Sequence, residues 1–496
     1  MPFKAGTSFL RFLSMGAAGV HRTMETLRRS GFEPIELERY CGSNKIWSTK
    51  IKRLRLSDLL CVRTGLRVEV RAKTDLKIRM SDTPSNRDRA WDAGLRDDDL
   101  VAFIYCSFQN HRPIPADQPV FLSVGALRSS IAASTVGPPK SASEGAERDR
   151  TWPATVPSRD GTVLEVTDNR IITQMDADRT RAARRQTYLL RGKTPYVAPG
   201  QEFRAHSQII CGAPRSLADL SDFLNHDYDP MAALESDSVV DRYAAVKALA
   251  HRPELGASRI TLLENMLDHE SDDRVLLEAA AVAALIGSSH GEDRLSSFIW
   301  ADHRRPDLRM ETVIILTELG NTPFARDQLM QIAGSDRFQG DELRQAAVWG
   351  LGKMGLKRYE DLLGFIDDSD DDVALHAIAG FDHNTPPNII NSLVSDLATS
   401  GERRCAAASA ALAAIGSDAA ITALASVARV ATNDWTIATI GSMPPERVRS
   451  LLVRDDLLRL VSPLLVKAEG ANWLASEEKR KDLRFLQAQD IASDHL

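Results

Sequence analysis

From about residue 217 onward one pattern returns every 30 to 36 residues or so, and no other feature limits the possible folds so sharply. The segments RYAAVKALA, EAAAVAALIG, METVIILTELG, LRQAAVWGLGKMG, VALHAIAGF and CAAASAALAAIG set Leu249, Leu285, Leu316, Leu351, Phe381 and Leu412 at equivalent points. Each mixes bulky apolar side chains with small ones that let helices approach, and each is followed by a Gly or polar turn that ends a helix. Acidic residues precede most of them, at Asp272-Asp273, Asp307, Asp341-Glu342 and Asp370-Asp371-Asp372. At a helix N-terminus such carboxylates cap free amides and oppose the positive end of the dipole. The pattern predicts an array of helix pairs, each burying an apolar face on the next.

This array resembles HEAT repeats over roughly the last 270 residues. The resemblance implies an all-α solenoid over 217–496 with an extended surface for a protein partner. The run DDSDDD at 367–372 lacks the glycine and terminal glutamate of a calcium-binding EF-hand and reads as repeated capping. Trp435, Trp473 and the charged stretch 477–484 read as degenerate repeats or a terminal cap.

The N-terminal part has a different grammar. Residues 52–61 (KRLRLSDLLC) alternate like a half-buried strand, Thr64-Gly65 reverses the chain, and Arg67-Val68-Glu69-Val70-Arg71-Ala72-Lys73 alternates again, which predicts a β-hairpin. With period two, Glu69, Arg71 and Lys73 share one face while Val68, Val70 and Ala72 share the other. If Asp58 lies on the charged face, two carboxylates and two cations converge on one patch, which suits a hard divalent cation. Around the hairpin, residues 16–30 read as a helix, 32–40 as a first strand, 85–91 as a short helix and 100–108 (LVAFIYCSF) as a fully buried strand.

The order α-β-β-β-α-β, with an Asp on one strand and Glu-x-Arg on the next, resembles the PD-(D/E)XK nuclease superfamily. That resemblance implies a restriction-endonuclease-like core in which Asp58 and Glu69 bind Mg²⁺, with Mn²⁺ as substitute. The cations Arg71 and Lys73 would stabilise charge at the phosphate. The chain departs from the family pattern in two ways. Ser57 stands where Pro is common, and Arg71, which does not act as a proton acceptor, stands at the usual Lys position.

Beyond residue 115 the chain turns to short β-like runs at 120–124, 162–166, 170–173, 186–190 and 207–211, interrupted at 132–160 by a stretch dense in Pro, Ser, Gly and charge that reads as a loop. Three domains are therefore expected: a nuclease-like α/β domain over 1–115, a β-rich extension over 116–216 with a flexible loop near 132–160, and the helical array over 217–496. A chain of 496 residues is long enough for this division.

Charge is divided between the two ends. Residues 1–80 carry 17 Lys and Arg against 7 Asp and Glu, a balance of 17 − 7 = +10, whereas from Asp222 onward the count is 27 against 44, or 27 − 44 = −17. The basic end has the footprint of nucleic-acid backbone binding, with Lys50, Lys52, Arg53 and Arg55 as gripping residues and the Arg179–Arg185 cluster as a further candidate. The acidic array has the wrong sign for DNA and suits a basic protein surface. Asp97, Asp98 and Asp99 read as a solvated loop in preference to a second metal site, and Trp91 as a core-edge aromatic in preference to a base-stacking platform.

Five scattered cysteines, with no Cys-x-x-Cys pair, do not form a disulfide framework and give a structural zinc site little support. No phosphate-binding loop, dinucleotide fingerprint or His-Glu-x-x-His pair is present. The absence of a long apolar run leads to the expectation of a cytoplasmic protein without a membrane span. Three functions follow as expectations: a metal-dependent nuclease-like protein regulated or delivered by its helical scaffold, a non-enzymatic adaptor whose basic module binds nucleic acid or protein, or a scaffold with no nucleic-acid role whose basic and acidic halves pack together.

Overall fold

The computed structural model describes residues 7–37, 47–51, 54–86, 89–110, 112–139, 146–302, 305–320, 322–355, 358–430 and 433–443. Lys52, Arg53, Cys41, Trp473 and the 477–484 stretch lie outside them. An N-terminal mixed α/β region is followed by an all-helical one. Two compact units partition the chain at 282/283, with the short segment 47–52 belonging to the second unit. The first helices of the array thus belong with the N-terminal unit, so this division does not coincide with the change of sequence character near 217.

In the first unit, α1 (Thr7–Arg29) lies against a sheet of six strands: β1 (Pro34–Glu36), β2 (Leu59–Cys61), β3 (Arg67–Lys73), β5 (Leu100–Gln109), β6 (Arg112–Pro115) and β7 (Val120–Ser123). β1, β2 and β3 are antiparallel neighbours, whereas β3 and β5 run parallel in register from Val68–Leu100 to Lys73–Tyr105. Parallel pairing leaves both sheet faces to be covered. One face packs Val68, Val70, Leu100, Ala102 and Ile104 against Met15, Val20, Met24 and Leu27 of α1. The other packs Val101 and Phe103 under Leu76, Ile78, Met80, Trp91, Leu95 and Trp152.

Several sequence expectations are revised by this packing. Among the described residues of the first hairpin run, only Leu59–Cys61 is strand. Of the stretch 85–91, expected as a short helix, the described residues are turn, bend or irregular apart from a 3-10 position at Arg89, and Trp91 packs in the second core against Trp152, with ring centroids 5.2 Å apart. The stretch 132–160 contains strands β8 (Ala133–Pro139), β9 (Ala146–Thr151) and β10 (Ala154–Thr155). β9 is central to a three-stranded sheet with β8 and β4 (Arg79–Asp82), so its partner sits far upstream, where local composition cannot register it. The runs at 162–166, 170–173 and 186–190 are strands β11 (Gly161–Val166), β12 (Arg170–Met175) and β13 (Arg184–Leu189) of a separate four-stranded sheet.

In the second unit, the helices include α8 (Pro306–Glu318), α10 (Glu342–Lys353), α12 (Asp371–Ala379), α14 (Glu402–Ile415) and α16 (Asp434–Gly441), each packed on the next in this row. Close approach is made by glycines: a Cβ on Gly350 would meet Thr317 Oγ1 at 2.4 Å, and one on Gly352 would meet Gly380 Cα at 3.0 Å. Asp341 and Asp370 cap as expected, accepting from the Leu343 amide at 2.9 Å and the Asp372 amide at 3.0 Å, whereas Asp307 lies within the first turn of its helix and pairs with Arg305. The acidic run 367–372 is further paired by arginines, Asp367 with Arg404, Asp368 with Arg344 and Asp371 with Arg403. Leu316, Leu351, Phe381 and Leu412 are buried, and so is Leu249 in the first unit. Leu285 is the exception at 52% exposure; counting back from the terminating glycine, Ala283 takes its place. Among the described residues no helix is long and apolar enough to cross a membrane.

Candidate functional site

The charged face of β3 is the face that the second core covers, because Glu69, Arg71 and Lys73 are in register with Val101, Phe103 and Tyr105 of β5. An isolated carboxylate there would be strongly disfavoured. Glu69 is only 4% exposed, and two guanidinium groups hold it: Arg71 Nη2 lies 2.5 Å and Arg55 Nη2 3.3 Å from its Oε1. Arg71 is steadied in turn by its Nε contact with Met80 Sδ at 3.4 Å.

Asp58 stands immediately before β2, one step beyond the Leu59–Val68 pair, which brings it opposite Glu69. Its Oδ2 accepts from the Val70 amide at 2.6 Å, so one of its oxygens completes the ladder of β3. The paired register itself ends at Leu59–Val68, and the Asp58 carboxylate is turned to the Val70 amide. Lys73 turns elsewhere: its amine donates to the Arg79 carbonyl at 2.8 Å. Burial, with help from the Arg71 and Arg79 charges, pushes Lys73 down to about 8, against opposition from Asp149 and Asp75.

Of the four expected gripping residues, Lys50 and Arg55 are among the described residues. Arg55 is committed to Glu69, while Lys50 belongs to the second unit and donates to the Trp47 carbonyl. Of the aspartates at 97–99, Asp97 and Asp98 are exposed in a turn, as expected of a solvated loop, whereas Asp99 departs from that expectation. Asp99 is fully buried and accepts from the Arg67 amide at 3.0 Å, the Arg96 amide at 2.7 Å and the Arg96 guanidinium at 3.0 Å. It anchors the start of β3 to the turn before β5. Arg67, itself buried, extends this cluster to Gly94 and to Asp241 of helix α4 (Val239–Ala250). In the Arg179–Arg185 cluster, Arg181 pairs with Asp178, and the arginines are exposed along the edge strand β13 and the turn before it.

Sequence reasoning missed Arg55 as a partner of Glu69 and the Arg67–Asp99–Arg96 cluster. The only available signal was an excess of arginine with no periodic pattern, which names no partner. Among the described residues, no three or more His, Cys, Asp or Glu side chains gather as a metal-ligand set.

No family model and no curated protein matches the sequence. Similar solved structures include an engineered protein (17% identity, TM-score 0.26), covering 54% of this chain and 87% of that one. YibA of Escherichia coli shows 13% identity and a TM-score of 0.26 over 48% of this chain and 91% of its own. Human deoxyhypusine hydroxylase in complex with glycerol shows 14% identity and a TM-score of 0.21 over 49% and 95%. Similarity at this level assigns neither fold nor function.

Proposed function

We propose that the protein is a non-catalytic scaffold with a nuclease-like N-terminal module that binds nucleic acid without cleaving it, joined to a HEAT-like array that carries a protein partner. The nuclease-like reading is supported by one helix, three antiparallel strands and a further strand parallel to the third. The absence of cleavage rests on one observation: Glu69 is clasped by Arg71 and Arg55, so two positive charges stand against the carboxylate that a divalent cation would need. Mg²⁺ takes several oxygen ligands in near-octahedral geometry. A carboxylate with two guanidinium partners, facing an Asp58 already bonded to the Val70 amide, is a poor donor set for it. Affinity would come from Lys and Arg releasing counterions on phosphate contact.

A second reading has its own support. Asp58 opposite Glu69, and a lysine two residues beyond Arg71 whose amine is pushed down to about 8, are the ingredients of an Mg²⁺- or Mn²⁺-dependent endonuclease.

The two separate cleanly. The full chain is incubated with duplex DNA, single-stranded DNA and RNA in Mg²⁺ or Mn²⁺, and binding is followed by anisotropy over a salt series. The scaffold reading expects intact nucleic acid and an affinity that falls steeply with salt. Cleavage by wild type that is lost in Asp58→Ala and Glu69→Gln installs the endonuclease reading, and binding that is absent or indifferent to salt removes the nucleic-acid role.

A further inference from the structure

Residues 47–51 are short and carry no regular secondary structure, yet they are held by the second unit as a ligand is held by a receptor. Trp47 is 3% exposed, with its indole at 6.1 Å and 82° from Trp349 of α10 and at 5.4 Å from the His376 ring of α12. Next to it, a single carboxylate captures the backbone. Glu342, in the first turn of α10, accepts from the Ser48 amide, from Ser48 Oγ at 2.9 Å and from the Thr49 amide at 2.8 Å. An aromatic anchor in a pocket beside a carboxylate that takes two successive amides is a recurring way to bind an extended peptide.

The pocket is also incompletely satisfied. Trp47 Nε1, a donor, and His376 Nδ1 are both buried without a hydrogen-bond partner. Buried polar groups are ordinarily paired, because leaving one unpaired costs the desolvation of that group. A segment embedded as permanent core would be expected to satisfy them. The Ser48 and Thr49 amides are tied to the one Glu342 carboxylate, Trp47 is seated by ring contacts and Ile51 is also buried, a set of contacts that another segment of the same chemistry can reproduce.

We infer that Glu342, Trp349 and His376 form a peptide-recognition site for a tryptophan followed by a Ser or Thr and a second residue with a free amide, and that Trp47–Thr49 is its occupant in cis. A partner displaying the same chemistry competes with the chain's own segment. The inference rests on the scaffold reading for its use, since it states which partner chemistry the array accepts, but the site is defined without reference to nucleic acid.

The test uses the full chain and a labelled heptapeptide with the sequence of residues 45–51, KIWSTKI. In Trp47→Ala the cis occupant is lost, and the peptide is expected to bind at least about tenfold tighter than it binds wild type. Adding Glu342→Ala to that variant removes the gain, and a peptide with Ala in place of Trp binds neither protein. Equal affinity for wild type and Trp47→Ala overturns the inference, as does absence of binding to a Trp47→Ala protein with a native circular dichroism spectrum. Should that variant not fold, hydrogen exchange of the wild type decides: excess peptide speeds exchange at the Ser48 and Thr49 amides, and unchanged rates overturn the proposal. No nucleic acid is present in either experiment, so their failure leaves the cleavage and salt tests untouched, and the reverse holds.

Discussion

Arg71 Nη2 lies 2.5 Å from Glu69 Oε1, and the two residues sit two apart on the same face of one strand. Arg55 reaches the same oxygen from the segment preceding β2, so a buried acid carries two cations from two parts of the hairpin. This relationship decides how the unit is read chemically, and it also contributes to stability.

Removing the acid leaves two guanidinium groups against an apolar layer. Breaking a fully buried ion pair from one side costs about 3–5 kcal/mol, and partial exposure of the Arg heads lowers this. Glu69→Ala is therefore expected to destabilise the N-terminal unit by about 2–3 kcal/mol, and the double variant Glu69→Ala/Arg71→Ala by less than the sum of its single changes. Urea titration of the four proteins measures the coupling; strict additivity would show that the contact carries no energy.

Two glycines of α1 should respond in opposite directions to the same substitution. Nothing lies within 4 Å of a Cβ built on Gly16, whereas one on Gly19 would sit 2.7 Å from Ala72 Cβ, where the helix crosses β3. Gly16→Ala is expected to stabilise by about 0.5–1 kcal/mol through helix propensity. Gly19→Ala should destabilise by about 1–3 kcal/mol through overpacking. Thermal denaturation midpoints of the two variants report the signs, and a stabilised Gly19→Ala would mean that α1 does not rest on Ala72.

Acidification should weaken the second unit at His376. Burial pushes this imidazole down to about 4; the Lys353 charge adds to the shift and Asp370 opposes it. In the unfolded chain it protonates near its ordinary value of 6.5. The unfolded state thus takes the proton first, and stability present above about pH 6.5 is lost progressively down to about pH 4, on the order of 3 kcal/mol in all. Glu342 acts in the same sense below the carboxylate range: burial raises it, but the Thr49 and Ser48 amides more than offset this and hold it low. Denaturation midpoints between pH 7 and 4 check the slope, and His376→Gln should flatten its upper part.

Lys73 should be the amine of the β3 face that reacts early. Held at about 8, it is half neutral near pH 8, while an ordinary lysine at 10.5 stays charged. Because its folded value lies below its unfolded one, folding is penalised while the group is charged, and that penalty fades as pH rises from about 8 to 10.5. Mass spectrometry of acylation against pH reads the midpoint at this residue, and a midpoint near 10 would contradict the burial described here.

Local rules carried much of the architecture. The period-two alternation of 67–73 correctly divided Val68 and Val70 from Glu69 and Arg71, because side-chain direction along a strand follows from the backbone alone. Helices and their caps at Asp341 and Asp370 were equally legible, since each depends on residues within one turn. Leu285 shows where pattern reading slips: two residues of displacement move a side chain about 200° around a helix, and Ala283 is buried in its place.

Across long separations the amino-acid order was silent. It indicated an acid beside cations on β3, but not that Arg55 would close on Glu69 or that a second apolar layer would cover them. It marked 132–160 as a loop, although β9 finds β4 some seventy residues upstream, as in the pair Asp82–Arg148. It offered no sign that Ser48 would bond to Glu342, 294 positions away. Periodicity and capping are encoded within a few residues, whereas the partner of a buried charge is chosen by whichever segment packing brings to it, and that choice exists only once the chain has folded.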